Sequence, residues 1–164
     1  MNVSSSPQKR QSTRRTVKIS HHLNYPLNHI ENVLLPLFEK DYTDDSLRVT
    51  IDSANHIWCA YENGKCIGCA LITDIGSYGG LYVILFGISK PAQGRGIGTR
   101  LLKKIIKWSR KHSYTFIYLL TEYDNEKAIR LYEKAGFEKD FRESFLDEEL
   151  PGYGDGVVPL ILFV

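Results

Sequence analysis

The sequence contains no apolar run approaching the roughly 20 residues that a membrane-crossing helix needs, so no membrane segment is expected. Cysteine is scarce: Cys59, Cys66 and Cys69 are the three present, an odd count that argues for free thiols in a reducing compartment. The stretch from Met1 to Arg15 is polar and lacks the apolar centre of an export signal, which predicts a cytoplasmic location and leaves nuclear entry open through the basic N-terminal residues. Cys66-x-x-Cys69 has the spacing of half a metal or redox site. No second pair and no histidine at ligand spacing accompany it, so the cysteines read as small buried residues of a sheet and no metal is expected. Net charge is also small, +2, but it is unevenly spread. Residues 90–111 hold eight Lys or Arg and no acid, whereas residues 138–155 hold seven acids against two bases.

What is there fits one domain of ordinary composition, with 164 residues, 43% of them hydrophobic and 24% charged. Residues 1–13 are polar and basic and read as a disordered tail, leaving 14–164 as the folded unit. A short strand is expected around Arg15–Ser20. Leu27, Ile30, Leu34, Leu35 and Phe38 then recur at helical spacing, with a break or kink expected at Pro36. Asp41 to Ser53 is polar and predicts a second, short helix. His56–Tyr61 and Lys65–Ile72 flank Asn63-Gly64, the turn dipeptide whose two residues accept positive φ, and so predict a hairpin. Leu81 to Ile88 is a continuous apolar run suited to a strand covered on both faces. Beyond it come a helix from Ile97 to His112, a strand from Tyr114 to Thr121, and a helix from Asn125 to Ala135 closed by Gly136. Two last strands are expected at Phe137–Phe145 and Val157–Val164. The order is β-α-α-β-β-β-α-β-α-β-β, a mixed α/β domain.

Gln93-Gly94-Arg95-Gly96-Ile97-Gly98 lies between a strand and a helix start. Unpaired N–H groups at a helix N-terminus form an anion site, and glycines let a pyrophosphate approach the main chain. A dinucleotide-binding Rossmann loop is the competing reading, with Glu122 near the expected place of a ribose-binding acid. Three features oppose it. Thr99 stands where the third fingerprint glycine belongs, Ser89-Lys90-Pro91-Ala92 is too long an entry, and the chain has no room for a second mononucleotide half.

Gln93-x-x-Gly96-x-Gly98, preceded by Phe86-Gly87-Ile88, resembles the acetyl-CoA motif of the GNAT superfamily. Asn125-x-x-Ala128-x-x-x-Tyr132-x-x-x-Gly136-Phe137 resembles the family's second motif, and the two together span residues 81–137. The resemblance implies a central mixed sheet of about seven strands flanked by four helices. It also implies an acetyl-CoA-dependent N-acetyltransferase acting by direct attack of a primary amine. By the same resemblance the strand bulges at Gly87, Phe86 and Ile88 offer backbone groups to the pantetheine arm, and the loop from Gln93 through Gly94, Arg95, Gly96, Ile97 and Gly98 to Thr99 holds the phosphates. Asn125 and Ala128 line the arm.

Tyr132 shares a helical face with Asn125 and Ala128, and its phenol, of ordinary pKa about 10, is suited to protonating a departing thiolate of about 8.5. An amine of pKa about 10.4 must lose a proton before attack, and Glu122 is the nearest carboxylate for that work because Leu81–Ile88 carries no acid. Acids at Glu39, Asp41, Asp44, Asp45 and Asp52, and at Glu143, Asp147, Glu148, Glu149 and Asp155, predict a rim that attracts a cationic acceptor: polyamine, lysine side chain or protein N-terminus. The expected partners are therefore a small amine or a basic peptide, with the chain a monomer or homodimer. The absence of a reader motif or interleaved aromatics argues against nucleic acid. A non-catalytic CoA-binding sensor of the same fold is the alternative.

Overall fold

The computed structural model describes residues 16–23, 27–140 and 155–164. The expected tail at 1–13 and the acids Glu143, Asp147, Glu148 and Glu149 lie outside the described residues. Elements follow the expected order: β1 (Val17–His22), α1 (Leu27–Phe38), α2 (Asp44–Ser53), β2 (His56–Glu62), β3 (Lys65–Ile75), β4 (Gly80–Ile88), α3 (Ile97–Lys111), β5 (Phe116–Glu122), α4 (Glu126–Lys134), β6 (Glu138–Lys139) and β7 (Val157–Phe163). Among the described residues these make one seven-stranded mixed sheet, ordered β1-β2-β3-β4-β5-β7-β6, with four α-helices. All pairings are antiparallel except β4 with β5, which the β4–α3–β5 crossover joins in parallel. Such a sheet is not a doubly wound Rossmann sheet, which is mostly parallel.

Helices cover both faces. On one, α1 and α2 bury Ile30, Leu34, Leu47 and Ile51 against Cys59, Cys69 and Leu71. On the other, α3 contributes Leu101, Leu102, Ile105 and Ile106, and α4 contributes Tyr132, against Leu81, Val83, Ile117 and Leu119. The hairpin forms where Asn63-Gly64 predicts it, with φ of 50° and 76° at the two turn residues. Gly136 takes the left-handed φ of 100° that ends α4. All three cysteines are free and buried in the sheet beneath α1.

Three expectations change. Proline does not break α1 at Pro36, because the helix runs two residues further and brings Leu37 and Phe38 against β4. β4 is not uniformly buried. Its odd-numbered side chains are covered, while Tyr82, Ile84, Phe86 and Ile88 are half-buried. The bulge in β4 lies at Ile84, three residues before Gly87: Leu71 pairs with Leu85 and Ile72 with Val83, which leaves Ile84 as the extra residue. The insertion reverses the alternation of side chains. Leu81 and Val83 face α3 and α4, Leu85 faces α1, and Phe86 and Ile88 face α3 and α4 again. Gly87 is needed instead for the close approach of α1, since a Cβ there would stand 2.7 Å from Leu37 Cδ1 and 3.1 Å from Leu34 Cδ2.

Candidate active site

The parallel rungs between β4 and β5 end at Val83 and Leu119, although the strands continue to Ile88 and Glu122. Beyond those rungs the strands part, and a cavity of about 710 Å³ opens between them. Its walls include Phe86, Gly87 and Ile88 from β4, Gln93 from the loop, Leu120, Thr121 and Glu122 from β5, and Asn125, Ala128 and Tyr132 from the α4 segment. Residues drawn from two separated sequence motifs thus line one space. The α1–α2 connection, Glu39 to Tyr42, closes the cavity from another side, and Tyr82 and Val157, the cross-strand partner of Glu122, complete the lining.

The glycine loop sits at the β4 end of this cavity. A short 3-10 turn at Lys90–Ala92 leads into it, and Gln93 Nε2 donates to the Ile88 carbonyl at 2.9 Å, tying the loop to the end of β4. Gly94 and Gly96 both adopt φ of 73°, a conformation that glycine alone takes at little cost, and a Cβ at either would meet no atom within 4 Å. Gly96 is the N-cap of α3 and provides no side-chain cap, so the first N–H groups of the helix remain for an outside acceptor. An open, uncapped helix start bordered by glycines suits a pyrophosphate. Gly98 differs: its Cβ would lie 3.5–3.6 Å from Ile88, Leu131 and Phe86, ordinary contact within a packed junction. Ile97 is buried against Val17 and Ala92, so it can offer an anion only its backbone, whereas Thr99 is exposed. Arg95 does not point into the loop's open side; its guanidinium pairs with Glu62 on β2.

Asn125 caps α4, its Oδ1 accepting from the Ala128 N–H at 3.1 Å, and so fixes the helix that carries Tyr132. Tyr132 is only 5% exposed, packed between Phe86 and Phe137 with ring centroids 6.0 and 5.6 Å away. Burial pushes its phenol well above the ordinary tyrosine range, which keeps it protonated at neutral pH. Glu122 is exposed at the end of β5, and its carbonyl accepts from the Asn125 N–H at 3.1 Å. Tyr82 was not singled out in the sequence, where it reads as one more residue of an apolar strand. It lines the cavity between the motif residues and the α1–α2 connection, and burial, with Tyr42 adding to it, raises its phenol. Of the expected acidic rim, Glu39 and Asp41 line the cavity, but Asp44 and Asp45 occupy the first turn of α2, where acids complement the helix dipole.

Against known families, the sequence model described as "Acetyltransferase (GNAT) family" matches residues 27–137, more than half of the chain. The chain belongs to the GNAT acetyltransferase family. It is an acetyl-CoA-dependent N-acetyltransferase. Among the GNAT relatives, the N-alpha-acetyltransferase 50 of Danio rerio is 28% identical over 115 residues, covering 68% of this chain and 67% of the relative. The N-alpha-acetyltransferase RimI of Mycobacterium tuberculosis is 33% identical over 87 residues, 52% of this chain and 53% of its own. A GNAT acetyltransferase of Elizabethkingia anophelis, solved with acetyl-CoA bound, superposes with a TM-score of 0.68 at 21% identity over 90% of this chain and 98% of that one. At that identity the superposition establishes the GNAT fold alone. These surroundings fit the co-substrate: the cavity is a slot between parting strands for an extended arm, and the loop that Gln93 begins leads to an uncapped helix start suited to phosphates.

Proposed function

We propose that this GNAT chain acetylates a primary amine held at the α1–α2 end of the cavity, and that the amine is the terminus of a protein or peptide. The observation that carries the reading is the parting of β4 from β5 around Phe86–Ile88, with Tyr132 inside the gap and Glu122 at its edge. Acetyl-CoA supplies an activated acetyl thioester. The amine nitrogen forms a bond to the carbonyl carbon as the carbon–sulfur bond breaks. Tyr132 gives its proton to the sulfur, and Glu122 takes the amine's proton directly or through water. The Ile88 N–H donates to the thioester oxygen, a contribution of about 3–4 kcal/mol where such a donor is in place. Glu39, Asp41 and Glu122 put three carboxylates against Lys40 and Lys90 around the cavity, a balance that still favours a cationic amine. The relatives named as N-alpha-acetyltransferases support the α-amine over other amines.

The test is acetyl-CoA-dependent release of free CoA across a panel of peptides with free or blocked N-termini, lysine-containing peptides and polyamines. Turnover is expected with free peptide N-termini, and blocking them should abolish it. Turnover confined to polyamines or lysine side chains would overturn the acceptor assignment. Acetyl-CoA binding by calorimetry without CoA release on any amine would favour a sensor module instead.

A further inference from the structure

Two arginines from the loop and the first turn of α3 reach toward the sheet edge. Arg95, between the left-handed Gly94 and Gly96, donates from Nη1 to Glu62 Oε2 at 3.3 Å and from Nη2 to Oε1. Arg100 Nη2 donates to the Val17 carbonyl at 2.9 Å. Val17 and Glu62 are direct partners across β1 and β2, so both guanidiniums grip the same rung. Beneath that rung Val17, Ala60 and Ile67 pack against Ala92 and Ile97, the residues that bracket the loop. Glu62 is well covered, its side chain 11% exposed, and that of Arg95 is 33% exposed.

A loop with two glycines at positive φ has little of its own to hold one shape, because glycine gives up more conformational freedom than any other residue on ordering. Gly94 and Gly96 also have open space around them, so packing does not fix them. The bidentate ion pair at Arg95, between the two, ties this segment to the rigid sheet, in addition to the bond from Gln93 to the Ile88 carbonyl. We infer that Glu62 is a positioning residue for acetyl-CoA binding: it holds Arg95 away from the phosphate cradle and fixes the loop, so that phosphate recognition falls to main-chain N–H groups. The inference rests on the proposed reading of the glycine loop as that cradle.

Loss of a negative charge near a phosphate site would by itself tighten anion binding, so the sign of the effect is diagnostic. Glu62→Ala should raise KM for acetyl-CoA by about five- to tenfold and change kcat by less than about twofold, the expectation for a lost charge-assisted tie acting on binding alone. Glu62→Asp should recover most of the loss. Arg95→Ala should match Glu62→Ala, and the double variant should be no worse than either single one. Glu62→Gln carries the same test if Glu62→Ala does not fold, as judged by its melting curve. An unchanged or lower KM in both Glu62→Ala and Glu62→Gln would overturn the inference. So would a severe loss in Arg95→Ala with Glu62→Ala at the wild-type level, which would make Arg95 a direct phosphate ligand. Failure of the wild-type chain to bind acetyl-CoA would instead sink the reading of the cradle itself, and the role of Glu62 with it.

Discussion

Tyr132→Phe separates chemistry from architecture at this site. The ring is 5% exposed and wedged between Phe86 and Phe137, so phenylalanine fills the same space and leaves no cavity. Stability should therefore shift by less than about 1 kcal/mol, whereas truncation to alanine would cost about 3–5 kcal/mol through the void it opens. What phenylalanine removes is the proton that the proposed mechanism gives to the leaving sulfur. Losing a positioned donor lowers kcat by roughly 10²–10⁴, or about 2.7–5.4 kcal/mol of barrier. Because burial raises the phenol, the wild-type donor stays loaded through neutral and mildly alkaline pH, and deprotonation of Tyr132 should not depress kcat below about pH 10. Steady-state CoA release gives kcat and KM, calorimetry gives acetyl-CoA affinity, and thermal melting reports the fold. The expected pattern is a collapsed kcat with unchanged affinity and melting temperature. A variant that keeps more than about half of the wild-type kcat from pH 6 to 9 would refute the assignment, since water or another group would then protonate the sulfur.

The two motif glycines should respond differently. Gly96→Val forces a β-branched residue into φ of 73° and should abolish acetyl-CoA binding in calorimetry, whereas Gly98→Ala places its methyl at ordinary contact distance and should keep binding within about threefold. Equal losses in the two would refute this distinction and show that a methyl at Gly98 itself obstructs the ligand. His21 should make stability pH-dependent. It stacks on Trp58 at 4.6 Å and faces Trp108 and His56, with His112 stacked on Trp108, His22 next in the chain, and Asp74 and Tyr114 on the far side of His56. Burial, then the neighbouring imidazoles of His56, His22 and His112, lower its pKa from 6.5. The unfolded chain then binds more protons than the folded one as pH falls through 6.5, so stability is lost on acidification. The melting-temperature advantage of wild type over His21→Gln should shrink between pH 7.5 and pH 5.5, and a constant or growing advantage would refute this account.

Much of this arrangement is legible in the sequence, and the residues explain where it is not. Asn63-Gly64, the amphipathic stretch Ile97–Lys111 and Gly136 announce their conformations because each is set locally, by turn sterics or by a 3.6-residue period. The two motifs likewise place Asn125, Ala128 and Tyr132 beside Phe86–Ile88, because a strand–helix–strand unit of that length returns the chain to the same sheet. The position of the bulge is not legible. An extra residue at Ile84 is defined by pairing with β3, and Leu81–Ile88 looks uniformly apolar whichever residue is left over. Nor is the role of Glu62, which closes a hairpin in sequence and meets Arg95 only through the fold, 33 residues away. Tyr82 and Tyr42 come together across one end of the cavity from separate elements, and no spacing rule links them. Proline at position 36 misleads because contacts of Leu37 and Phe38 outweigh a lost helical hydrogen bond near the helix end.

The single unpaired residue in β4 also limits how this chain can change length. Deleting Ile84 would restore unbroken pairing with β3, and a secondary-structure prediction would register hardly any difference. Val83 and Leu85 would keep their partners Ile72 and Leu71, so Phe86 and Ile88 would stay on the side of α3 and α4 and Gly87 beneath α1. Inserting one residue after Leu85 into continuous pairing would instead turn Phe86 and Ile88 toward α1, where Leu34 and Leu37 leave room only for hydrogen. The wall of the gap between β4 and β5 would then belong to the wrong layer of the molecule. The count of residues from Leu85 to Ile88 is thus held fixed by the gap that Phe86 and Ile88 line, even though substitutions that stay apolar and of similar size leave the count, and the face each side chain serves, intact.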